Sequence, residues 1–96
     1  MKKGYWVVIY RSVSDPARLA EYAKLAGPAI EAGGGRFLAR GTPVKVFEAG
    51  LSQRLVVTEF ESVEKAIAAY ESPAYQAAVR VLKGAVDREI RIIEGV

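Results

Sequence analysis

An α+β domain whose elements run β-α-β-β-α-β is predicted, and three features predict it. Runs of aromatic and β-branched residues alternate with longer stretches of helical apolar spacing. Proline and glycine mark nearly every changeover between them. A chain of 96 residues holds one core, so residues 1–96 form a single domain.

The first strand is Tyr5 to Arg11 (YWVVIYR), which has no breaker and reads as buried on both faces. Ser14-Asp15-Pro16 follows, with Asp15 placed to cap a helix and Pro16 at its first position. Leu19, Tyr22, Ala23, Ala26 and Ile30 recur at helical spacing and make one apolar stripe. Gly27-Pro28 interrupts it, so a kink or a short second segment is expected. Gly33-Gly34-Gly35 ends the helix, and Arg36 to Arg40 begins the second strand. Gly41-Thr42-Pro43 should bend or bulge that strand, with Val44 to Glu48 continuing it. Gly50-Leu51-Ser52-Gln53 reads as a hairpin loop into a third strand, Arg54 to Phe60. Ser62 starts the second helix with Ala66, Ile67 and Tyr70 inward. Ser72-Pro73 then restarts it, and Tyr75, Ala78, Val79 and Leu82 continue the stripe. Gly84 ends the helix, and Val86 to Glu94 is the last strand.

This order is that of the ferredoxin-like split unit. Right-handed crossovers put the first and third strands at the centre of a four-stranded antiparallel sheet. The two most apolar runs, YWVVIY and LVVTEF, fall on those central strands. Two helices, each expected to be broken, cover one face, and nothing is left to cover the other. At roughly 25 cal/mol per Å², a bare face of roughly several hundred Å² forgoes on the order of 10 kcal/mol of burial. Two copies packed sheet to sheet recover it, so a homodimer through the sheet face is predicted. Trp6 and Tyr10 share one face of the first strand; they are either anchors of that interface or walls of a pocket, and the interface is preferred.

Composition narrows the chemistry. Half of the chain (51%) is hydrophobic, rich for so small a body and in keeping with a buried subunit interface. With no cysteine, neither a disulfide framework nor a thiolate metal site is possible. The absence of histidine removes the commonest metal ligand and the usual general base. The opening Met1-Lys2-Lys3-Gly4-Tyr5-Trp6 is too short and strand-like for a signal peptide, and no stretch is long and apolar enough for a membrane span. A soluble cytoplasmic protein without a membrane partner is therefore expected. The net charge of +3 is spread over bases interleaved with acids, with no run dense enough for nucleic acid.

Several segments carry a resemblance. Gly4-Tyr5-Trp6-Val7-Val8, the Ser14-Asp15-Pro16 helix entry, Gly34-Gly35-Arg36-Phe37-Leu38-Ala39-Arg40-Gly41, the Tyr70-x-Ser72-Pro73-x-Tyr75-Gln76 box and Glu94-Gly95 resemble the domain-of-unknown-function 1330 family over nearly the whole chain. The resemblance implies the dimeric α/β-barrel superfamily, in which two ferredoxin-like subunits pair sheet to sheet. Relatives on that barrel include cofactor-independent monooxygenases, muconolactone isomerases, haem-degrading enzymes and stress-response binders, so the fold alone chooses none of them. Haem-handling relatives hold the iron with histidine; this chain has none, and haem is not expected.

Four residues are candidates for chemistry. Glu59, inside the Leu55-Val56-Val57-Thr58-Glu59-Phe60 run, is a candidate catalytic acid or base if the strand desolvates it; the alternatives are an ion pair with Arg11 or Arg40, or a solvated strand end. Arg40, at the strand bend, could hold a carboxylate or enolate oxygen, or else pair with Glu59 or Glu48. Tyr70 and Tyr75 flank the Ser72-Pro73 break and could turn their hydroxyls into a cleft between helix and sheet, or else be core residues. Ser72 is a helix cap with no base beside it, and the glycine run is not a phosphate loop. Two functions compete. One is a monooxygenase- or isomerase-like enzyme that works on a small anion without metal or organic cofactor. The other is a non-catalytic small-molecule-binding or stress-associated homodimer. An RNA-binding domain of the same topology is set aside, because the third strand lacks the Gly-aromatic-Gly pattern such domains use.

Overall fold

The computed structural model describes residues 2–96. Its elements are β1 (Gly4–Val13), α1 (Pro16–Ala32), β2 (Arg36–Gly41), β3 (Leu55–Phe60), α2 (Val63–Glu71), α3 (Pro73–Leu82) and β4 (Val86–Glu94). The four strands form one sheet in the order β2-β3-β1-β4, every neighbouring pair antiparallel. The two central strands are those that the apolar runs marked.

Local chemistry explains the helix ends. The Asp15 carboxylate accepts the Arg18 amide, and Pro16 occupies the first helical position, where its missing N–H has no partner to lose. The expected interruption at Gly27-Pro28 does not end α1. The proline removes only the bond to the Lys24 carbonyl, and both residues are exposed, so that carbonyl is left toward solvent rather than buried. The second helix does break, at Ser72. Its hydroxyl donates to the Ala69 carbonyl (2.8 Å) and accepts the Tyr75 amide (3.2 Å), closing α2 and opening α3 with one side chain. Between α1 and β2 the chain needs glycine: a Cβ on Gly35 would lie 2.5 Å from Ile30 Cγ2 and 2.8 Å from the Phe60 ring.

Four expectations are corrected. The second strand stops at Gly41, and residues 42–54 form an irregular loop instead of resuming as a strand at Val44. Gly41 takes a positive φ (147°), which redirects the chain, and Pro43 has no amide for a ladder. Ile67 is exposed, and the inward positions of α2 are Ala66 and Ala69. Trp6 and Tyr10 are not on the bare face of the sheet. Along β3, and along β1 from Gly4 to Tyr10, burial alternates strictly, with Trp6, Val8, Tyr10, Val56, Thr58 and Phe60 buried under the helices. The bare face is made by Tyr5, Val7, Ile9, Leu55 and Val57, all half-buried. β1 is thus buried on one face only.

Candidate functional site

Beneath the helices lies an aromatic cluster built around Trp6. Its ring sits 4.9 Å (centroid to centroid) from Tyr75, 5.0 Å from Phe60 and 6.0 Å from Tyr70, and its indole N–H donates to the Ala66 carbonyl at 2.8 Å. The cluster fixes Tyr75, the first inward residue of α3. Where α1 crosses α3, the hydroxyls of Tyr22 and Tyr75 meet at 2.5 Å. Arg88 of β4, directly opposite Tyr10 on β1, donates one guanidinium nitrogen to each hydroxyl at 3.2 Å. Burial, and then the neighbouring Tyr75, push the Tyr22 phenol well above its usual range, so it stays a neutral O–H. Burial also raises Tyr10. For Arg88, burial opposes the charge, but the oxygens of Tyr22 and Tyr75 outweigh it and keep the guanidinium cationic.

This network lines a cavity of about 70 Å³ between α1 and the helix-facing side of the sheet. That is several times the roughly 10–15 Å³ that one water needs on this measure. Its walls include Trp6, Val8, Phe37 and Val56, and its charged residues are Arg40, Arg54 and Arg88. No aspartate or glutamate lines it. Thr58, fully buried, contributes a hydroxyl with no hydrogen-bond partner among the described residues; the buried Nε of Arg54 has none either.

The sequence candidates divide. Tyr75 is in the network, and Arg40 lines the cavity, exposed, with its guanidinium 4.4 Å above the Phe37 ring. Tyr70 stacks on Tyr75 at 5.4 Å but faces a separate, more open depression between α3 and β4. Glu59 stands on the opposite side of the sheet, where it accepts from the Tyr5 hydroxyl (3.2 Å) and pairs with Arg36 (3.0 Å). Its ion-pair partner is thus Arg36 and not Arg11 or Arg40, and it does not reach the cavity. Tyr22, Thr58, Arg54 and Arg88 were not singled out by the sequence. A signal for two of them existed: Thr58 is in phase with inward Val56 and Phe60, and Arg88 with Ile90 and Ile92. A polar residue inside an apolar phase marks a buried polar site.

Among the described residues no group of histidine, cysteine, aspartate or glutamate is arranged to hold a metal ion, and no helix is long and apolar enough to cross a membrane. A family model described as a domain of unknown function (DUF1330) matches residues 3–96. No curated protein matches. Solved structures share the fold at low identity. A protein of unknown function from Rhodopseudomonas palustris superposes with a TM-score of 0.77 at 18% identity, over 99% of this chain and 83% of that one. A dimeric ferredoxin-like protein of unknown function from Thermobifida fusca gives 0.68 at 16% identity, over 97% and 91%. A Nitrosomonas europaea protein provisionally named an antibiotic biosynthesis monooxygenase gives 0.67 at 15%, over 100% and 93%. The fold is ferredoxin-like, and similar structures are described as dimeric.

Proposed function

The chain belongs to the domain-of-unknown-function 1330 family, and we propose that it is a small-molecule enzyme, monooxygenase- or isomerase-like, working in the cleft between α1 and the sheet without a metal or organic cofactor. One observation carries this reading: the Tyr22–Tyr75 pair held by Arg88 at the wall of the cavity. A buried cation behind neutral hydroxyls is suited to stabilising negative charge that develops on a substrate oxygen. The name given to the Nitrosomonas europaea neighbour is in keeping with such chemistry. In this reading Arg40 and Tyr75 belong to the ligand site and Tyr70 supports Tyr75 from behind. Glu59, on the far face, yields its catalytic role to Arg88 and Tyr22. The far face, with Tyr5, Val7, Ile9, Leu55 and Val57, is where a second copy packs to form the homodimer.

A second reading has its own observation. The cavity lacks a carboxylate, and the chain lacks an imidazole, so no ordinary general base lines the site. That favours a non-catalytic small-molecule-binding homodimer. The test is to incubate the aerated protein with a panel of small phenolic and enolisable acids and follow substrate loss by mass spectrometry. The enzyme reading expects turnover that falls about 100-fold or more in Arg88→Met. Binding across the panel with no turnover of any member supports the binder.

A further inference from the structure

The donors around the cavity outnumber their acceptors, and the surplus specifies a ligand. Arg88 only donates, so it occupies acceptor positions on both phenol oxygens. Tyr22 and Tyr75 carry one O–H proton each, and a single bond between them uses one of the two. The second proton has no protein acceptor. Thr58 Oγ1 and Arg54 Nε–H are buried without partners on the same cavity, and Arg40 adds a fourth donor group. Buried donors left unmatched are costly, and a native fold keeps them where something else accepts their protons.

Resting on the cleft reading above, we propose that the cavity takes the head of a small organic carboxylate, whose oxygens accept from Tyr22/Tyr75, Thr58 and Arg54. A carboxylate offers about four acceptor sites and no donor, which fits a wall of donors; a ketone offers fewer. Its charge answers Arg40, Arg54 and Arg88, none of which forms an ion pair with a carboxylate among the described residues. Inorganic phosphate would leave the Trp6, Val8, Phe37 and Val56 walls without contact. An amino acid would bring an ammonium to a wall with no acid to receive it, because Glu59 is on the other face. Size follows from volume: at roughly 30 Å³ per water, about 70 Å³ admits about two water-sized groups, the scale of a carboxylate head, so the rest of the ligand lies toward the mouth of the cavity beside Phe37 and the exposed Arg40.

The probes are benzoate, benzamide and benzyl alcohol, similar in shape and different in charge and donors, titrated calorimetrically into the 96-residue protein. Benzoate should bind at least tenfold more tightly than either neutral analogue. Thr58→Val, which keeps shape and loses the hydroxyl, should weaken benzoate about tenfold or more. The same variant should melt no lower than the parent without ligand, because it removes an unmatched buried group. Equal binding of all three probes overturns the carboxylate assignment and leaves the cleft reading standing. Benzoate binding unchanged in Thr58→Val overturns the placement of its oxygens. If none of the three binds, the carboxylate assignment fails. An Ala26→Leu variant, which fills the cavity, then separates the cases: the cleft reading fails as well if filling it abolishes no binding in the wider acid panel.

Discussion

Tyr75→Phe removes one oxygen and isolates the network on which the site depends. The ring stays packed against Trp6, so the change is confined to the hydroxyl. Two bonds are lost, one to the Tyr22 hydroxyl and one from the Arg88 guanidinium. A neutral hydrogen bond contributes about 1 kcal/mol net and one to a charged donor about 1.5–3 kcal/mol. Nothing offsets this, because Tyr22 keeps one proton without an acceptor whichever hydroxyl donated. The net loss is therefore about 3 kcal/mol, which for a domain of this size lowers Tm by roughly 12–24 °C. Urea denaturation followed by circular dichroism at pH 7 measures it. Tyr70→Phe, whose ring contacts survive, serves as the control and should change stability by less than about 0.5 kcal/mol. The Tyr22→Phe, Tyr75→Phe cycle should show coupling of about 1 kcal/mol, because the two hydroxyls share one bond. A loss from Tyr75→Phe no larger than the Tyr70→Phe control would refute the argument that a buried, Arg88-linked pair is formed.

Three further outcomes are expected. Gly35→Ala places a methyl against Ile30 and Phe60 and should destabilise by about 1–3 kcal/mol, measured by the same denaturation. Stability should decline above about pH 10. Tyr22 and Tyr10 keep their protons in the fold while the unfolded chain releases them near pH 10, so the unfolded state binds fewer protons there and gains. Urea titrations at pH 8 and pH 10.5 read this, and equal stability would remove the burial argument. Val7→Lys puts a charge on the half-buried far face, opposite Val57, and should convert the proposed dimer to a folded monomer in analytical ultracentrifugation.

Much of this architecture was visible in one dimension. Asp15-Pro16, Ser62 and Ser72-Pro73 each cap a helix through bonds that span three residues, so the local sequence contains both partners. The central placement of β1 and β3 followed from their apolar runs. What could not be read was which way β1 faces. Tyr5, Val7 and Ile9 are as apolar as Trp6, Val8 and Tyr10, and a strand without alternation carries no phase. Trp6 was accordingly placed on the wrong face. The phase of β3 decides whether Glu59 or Thr58 meets the cavity, and it is settled by pairing Trp6 with Thr58 across the sheet.

By itself the sequence determined the order of the elements, their caps and the topology, because those depend on neighbours along the chain and on the handedness of the backbone. Only the tertiary structure decided the site. Tyr22 and Tyr75 are 53 residues apart, and Arg88 is 66 from Tyr22. They converge because α1 packs across α3 and because β4 pairs with β1 in a register that sets Arg88 against Tyr10. Each of these residues, taken alone, has the spacing of an ordinary core or strand position. Their unmatched protons acquire chemical meaning only when burial takes away the water that would otherwise have accepted them.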